Sequence, residues 1–167
     1  MSPVRSWLAL GVGLLLTACG YRFTAGGAPL PEGIREVKVP VFANHTGESA
    51  AELMFTQSMR EQTGRAGTEG NSQSEARIEG DIRSASSVGA LTQMLGRGPA
   101  YRLVCTVRLK LWRGTKLVSQ TEFSAQEDYS TVIPDILALE SARAAAFQRL
   151  SDRMMQEGYE RLASGAQ

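Results

Sequence analysis

The sequence predicts an α+β fold: a two-layer sandwich with two helices packed on one face of a four-stranded mixed sheet, in the order β-α-β-β-β-α. Three observations carry that prediction. Residues 101–112 alternate, with Tyr101, Leu103, Cys105, Val107, Leu109 and Leu111 on one side and Arg102, Thr106, Arg108 and Lys110 on the other, the period of a half-buried strand. Leu139, Ala142, Ala146, Leu150 and Met154 recur at the spacing of a helix with one apolar stripe. Each element thus has a single apolar side, and two layers with the helices together bury both sides economically. The opposite sheet face is then polar and uncovered.

The elements follow in order. Residues 34–42 place Val37, Val39 and Val41 on one face, a strand. Asn44, His45, Thr46 and Gly47 read as a turn, with Thr46 in position to cap a helix over residues 47–62. Residues 63–74 are rich in Gly, Ser and Thr, a loop. Over 76–88 alternation returns, with Ile78, Gly80 and Ile82 inward and Arg77, Glu79, Asp81 and Arg83 outward. Residues 89–99 form a glycine-bearing loop, 101–112 the next strand, 113–115 a tight turn and 116–125 the returning strand. A loop over 126–131 leads to a long helix opened by Pro134 and ending near Leu162.

Ahead of this domain stands an export segment. Arg5 supplies a positive start, and residues 7–16 are an apolar run. A bilayer core takes about twenty residues, so this run suits a signal peptide and not a span. It ends in Leu16-Thr17-Ala18-Cys19, an aliphatic residue, two small residues and a cysteine. That pattern makes residues 1–18 a lipoprotein signal peptide and Cys19 the lipid attachment site. Residues 19–33, rich in Gly, Ala and Pro, are the lipidated N-terminus and linker, 34–163 a single domain and 164–167 a tail. Gly20, where an Asp would signal inner-membrane retention, points to the outer membrane.

Composition excludes several function classes. The chain has 18 Lys+Arg against 17 Asp+Glu, and removing Arg5 with the signal leaves 17 against 17. No global field draws such a chain to nucleic acid. His45 is the only histidine, and Cys105 the only cysteine besides Cys19. That set supplies neither a zinc site nor an intramolecular disulfide. No glycine-rich phosphate loop follows a strand. The sequence therefore predicts a non-enzymatic protein with no cofactor, and a structural Cys105 on a core face.

Local charge is more informative. No acidic residue occurs between Ile82 and Thr121, while the stretch holds Arg83, Arg97, Arg102, Arg108, Lys110, Arg113 and Lys116. Alternation puts Arg83, Arg102, Arg108 and Lys110 on the uncovered face. One account is a solvated face that keeps the sheet soluble. The other is an anion-binding surface, for which the phosphorylated lipid of lipopolysaccharide is the abundant anion in a diderm envelope. On the second account Arg83, Arg97, Arg102, Arg108 and Lys110 are the lipopolysaccharide-binding candidates. Antiparallel pairing brings Arg97 and Arg102 near residues 126–131, where Glu127 and Asp128 stand.

Cys19-Gly20-Tyr21, then Leu30-Pro31, then Val39-Pro40-Val41-Phe42-Ala43-Asn44-His45-Thr46 resemble the LptE family of lipopolysaccharide-assembly lipoproteins. The resemblance implies a two-layer fold seated as a plug inside the β-barrel LptD. It also implies a lipid anchor on the periplasmic side of the outer membrane, and help with barrel assembly and lipopolysaccharide insertion. The same turn motif occurs in other envelope lipoproteins. The alternative is therefore an interaction module that activates a peptidoglycan synthase or joins a secretion complex.

Overall fold

The computed structural model describes residues 29–90, 100–131 and 135–165; the export segment, Cys19, Arg97 and Pro134 lie outside the described residues. After a short 3-10 turn at Pro31–Gly33 come β1 (Val37–Lys38), β2 (Ala43–Asn44), α1 (Ala51–Arg65), β3 (Ala76–Ala90), β4 (Ala100–Arg113), β5 (Lys116–Ser130) and α2 (Ile136–Ser164). β1 and β2 both pair with β3 in parallel, while β3, β4 and β5 form an antiparallel meander. The sheet is mixed and both helices have one apolar face, as the patterning predicts.

The strand count is five rather than four. The single strand expected over 34–42 is cut in two at Pro40, which has no N–H to give to a ladder. The registers Lys38↔Arg77 and Ala43↔Asp81 set five steps on the border against four on β3. The extra residue turns the chain over. Val41, expected beside Val37 and Val39, is 58% exposed, and Phe42 goes in instead at 3%. Its ring occupies the space where a Cβ on Gly80 would stand, 2.3 Å from Phe42 Cδ2.

Other boundaries also move. α1 starts at Ala51, after Ala50 at φ +62°, and no side chain caps it. Thr46 is therefore not its cap; Thr46 Oγ1 accepts from the Glu48 N–H at 3.2 Å inside the preceding turn. β5 runs to Ser130, so the loop expected over 126–131 is largely strand. Gln126, Glu127 and Asp128 have weak strand propensity. The register Val104↔Gln126, Leu103↔Glu127 and Arg102↔Asp128 and the stacked rings of Tyr101 and Tyr129 hold them there. α2 opens at Asp135, whose carboxylate accepts from the Leu137 N–H at 3.3 Å, and closes at Gly165 in the left-handed region.

One core joins the layers. Ile78, Ile82, Leu103, Cys105, Val107, Leu109 and Leu111 of the sheet meet Phe55 and Met59 of α1 and Leu150, Met154 and Met155 of α2, all fully buried. Each such side chain contributes about 1.5–3 kcal/mol by leaving water. Phe55 and Phe147 meet edge to face at 5.7 Å between the helices. Beside them Ser58 bonds Ser151 at 3.1 Å and donates to Asp152 at 2.6 Å, so this buried polar spot is satisfied. Gly158 lets α2 close onto the sheet, since a Cβ there would lie 2.3 Å from Leu109 Cδ1.

Candidate functional site

The sheet face away from the helices holds most of the residues singled out by charge. Its β4 row is Arg102, Val104, Thr106, Arg108, Lys110 and Trp112. Register sets these against Asp128, Gln126, Ser124, Glu122, Gln120 and Leu117 of β5. On the other side stand Val88, Ser86, Ser84, Asp81, Glu79 and Arg77 of β3. Folding thus lays the basic row of β4 between two rows that carry acids.

The expectation of an uncompensated basic face is corrected by those neighbours. Arg102 forks onto Asp128, with Nε to Oδ1 at 2.7 Å and Nη2 to Oδ2 at 2.9 Å. Arg108 Nε donates to Glu122 at 2.6 Å, and Lys110 lies 3.9 Å from Asp81. Arg113 and Lys116, at the hairpin end, face Glu75 and Glu32. The fork with Arg102 holds the Asp128 carboxyl below its usual range, and Asp128 in turn raises Arg102. All these acids lie outside the 82–121 stretch, and strand pairing returns them to it. Any anion approaching Arg102 or Arg108 competes with a carboxylate already in place.

Arg83 stands apart. The β3–β4 register steps from Ile82↔Val107 to Ser84↔Thr106, so Arg83 is an inserted residue, a β-bulge. Its side chain is exposed, and among the described residues no carboxylate lies within ion-pair distance of it. Bulges re-aim a side chain at the cost of one ladder pair. Here the result is an unpaired guanidinium beside Thr106 and two residues along from Arg108. Arg102 is six residues from Arg108 on one strand, about 20 Å away, so the candidates form two separated groups. Arg97 lies outside the described residues.

Sequence reasoning missed the acids of this face as site members, although hairpin register together with the outward Glu79 and Asp81 could have found them. It also missed His45. Its backbone N–H donates to the Ile82 carbonyl at 3.0 Å, and its Nε2 stands 3.6 Å from Asp81, the carboxylate that also faces Lys110. The turn motif is a structural knot. Asn44 accepts from the Thr46 N–H at 2.9 Å and donates to the Glu48 carbonyl and to Glu52 at 2.9 and 2.8 Å. Arg143 of α2 then grips Glu48.

On the helix side, Glu127 points away from Asp128 and is clamped by Arg149 and Arg153 of α2, each at 2.8 Å. The Arg149 bond, with help from Arg153, holds the Glu127 carboxyl below its usual range. Cys105 is fully buried on the core face, and burial pushes its thiol up to about 12. Among the described residues no three His, Cys, Asp or Glu side chains are grouped to hold a metal, and no helix is long and apolar enough to cross a membrane.

Comparison with known proteins places this geometry. Solved structures share the fold at low identity. A protein from Xanthomonas campestris in the DUF330 family is 14% identical with a TM-score of 0.59, covering 82% of this chain and 90% of its own. A lipoprotein from Caulobacter crescentus CB15 is 11% identical with a TM-score of 0.55, covering 74% and 88%. Rare lipoprotein B from Shewanella oneidensis is 13% identical with a TM-score of 0.52, covering 76% and 95%. No curated protein matches the chain. A family model described as LptE, lipopolysaccharide-assembly, matches residues 34–162, nearly all of the described domain. The chain belongs to the LptE family of lipopolysaccharide-assembly proteins.

Proposed function

We propose that this protein is an outer-membrane lipoprotein, cleaved after residue 18 and anchored through Cys19, that sits as a plug in the β-barrel LptD and assists insertion of lipopolysaccharide at the cell surface. The family match over residues 34–162 carries the proposal. Two features of the molecule support it. The open sheet face is polar and covered by neither helix, which suits a water-lined barrel lumen. Arg83, the cation of that face without a carboxylate, supplies a contact for a phosphorylated lipid. Arg102, Arg108 and Lys110 enter as secondary contacts, since each must leave or share its acid.

Pull-down from solubilised outer membranes tests the partnership: a very large β-barrel should co-purify, and depletion of the lipoprotein should lower the amount of correctly assembled barrel. Normal barrel assembly without it would overturn the plug reading. Capture of a peptidoglycan synthase or a secretion complex instead would favour the interaction-module alternative.

A further inference from the structure

α2 is packed along only part of its length. From Ala146 onward it buries Ala146, Phe147, Leu150, Met154 and Met155 in the core. Residues 136–145 contain no buried residue. Leu139 and Ala142 rest half-buried against the core, while Ile136 and Leu137 are 78% and 76% exposed. An open cleft of about 370 Å³ runs between this stretch and the strand ends, with Ala142 and Ala145 on one wall and Ala100, Tyr129 and Ser130 on the other. Tyr129 is buried on the helix side of β5 and stacks on Tyr101.

One residue ties the stretch down. Arg143 reaches the Glu48 carboxylate, and its Nε donates to the Ser87 hydroxyl of β3 at 3.3 Å. Among the described residues, no other side chain of 136–145 bonds to another element; Ser141 bonds only back to the Leu137 carbonyl at 2.8 Å. Glu48 is itself held in place by Asn44. The Asn44 side chain accepts from the Thr46 N–H and hydroxyl at 2.9 and 2.7 Å and donates to the Glu48 carbonyl and to Glu52 at 2.9 and 2.8 Å. The clamp of Arg149 and Arg153 on Glu127 begins beyond Ala146 and holds only the packed part. Segments that bury little apolar surface open locally at low cost. Leu, Ala, Glu and Arg keep 136–145 helical, because propagation from the packed part needs no new nucleus. Its attachment to the rest of the domain then rests on the Arg143–Glu48 pair.

We propose that residues 136–145 are a strap that opens separately from the rest of α2, with Glu48 as its catch and the Asn44 turn as the support of that catch. Opening widens the cleft and uncovers the Tyr101–Tyr129 pair. Turn and strap meet at one ion pair, so the coupling is reciprocal: loosening the turn releases the strap, and lifting the strap frees the turn. The device is independent of the lipid-transport reading and stands or falls without it.

The test is amide hydrogen exchange on the full-length chain in detergent micelles. In the unsubstituted protein the amides of 140–145 should exchange at least about tenfold faster than those of 150–160. Arg143→Ala should speed 140–145 about tenfold further and leave 150–160 within about twofold. Asn44→Ala, which touches no part of α2, should do the same through Glu48. Glu48→Arg and Arg143→Glu should each open the strap singly, and the two together should recover most of the lost protection. That rescue separates a latch from a general loss of stability. Equal exchange of the two stretches in the unsubstituted protein, uniform acceleration along α2 in Arg143→Ala, or a double reversal no better protected than either single one would overturn the proposal.

Discussion

The Phe42 ring rests on Gly80 so closely that β3 has no room for a side chain there: an added Cβ would lie 2.3 Å from two ring carbons. The contact fixes the border segment onto β3 just where Pro40 has interrupted its pairing. Gly80→Ala should therefore destabilise by about 1–3 kcal/mol, the usual cost of overpacking. Urea denaturation measures it. Adding Phe42→Leu should recover part of the loss. Gly89→Ala, which meets nothing within 4 Å, should shift stability by no more than about 0.5 kcal/mol.

Cys105 should resist alkylation in the folded protein and react fully in denaturant, because the thiolate is the nucleophile and the buried thiol stays protonated until about pH 12. The unfolded thiol ionises near pH 8.5. Above that value the folded state holds a proton that the unfolded state has lost. This contribution to stability is thus fully present below pH 8.5 or so and declines as pH rises toward 12. Cys105→Ala should flatten that decline. Rapid labelling of native protein at neutral pH would refute the assignment.

Glu127 should make the α2–β5 contact sensitive to acid. Its carboxyl is held low by Arg149 and Arg153, so the clamp's stability is present above the ordinary carboxylate range and lost as pH falls through the lowered folded value. Glu127→Gln should remove this acid dependence and speed amide exchange in α2. Asp128→Asn breaks an exposed, solvent-screened pair and should leave the unfolding midpoint nearly unchanged.

Arg83→Glu should lower lipopolysaccharide affinity about tenfold, the equivalent of 1.4 kcal/mol, while leaving the unfolding midpoint nearly unchanged. Arg102→Glu and Arg108→Glu should have smaller effects, because those cations already face Asp128 and Glu122. Arg65→Glu, at an exposed position on the last turn of α1 with only a surface i,i+4 pair to Glu61, is the control; Arg143 and Arg149 are unsuitable because they tie α2 to Glu48 and Glu127 of other segments. Affinity at low and high salt decides it. Equal losses at all three face positions would show that pairing does not govern lipid contact.

Much of this architecture was legible from patterning. Leu103 to Leu111 and Ala146, Leu150 and Met154 announce their buried sides by strong contrast with charged neighbours. The β3 bulge gave no such signal. Arg83 continues the outward run of Arg77, Glu79 and Asp81, and Ser84 to Gly89 are mostly small residues without contrast, so the phase change leaves no trace in hydropathy. Pro40 did mark the broken border strand, although three valines at alternate positions outweighed it. The ion pairs of the open face do not show in a charge count along one segment, because the acids come from flanking strands; only the hairpin register, which sets Arg108 against Glu122 and Arg102 against Asp128, brings them together.

The grip of Lys116 on the Glu32 side chain, and of Arg113 on the Glu32 carbonyl at 3.1 Å, fixes where the chain enters the domain. That entry is at the β4–β5 hairpin end, and it gives the molecule a foot and a head. On the proposal that Cys19 carries the lipid, ten peptide steps separate the anchor from Pro29, at most about 36 Å even fully stretched. β5 spans about 46 Å from Lys116 to Ser130. A tether that short ties the proposed anchor to the hairpin end, so that Glu122 and Arg108 lie along the half of β5 nearer to the chain's entry and Arg102 and Asp128 toward the far end.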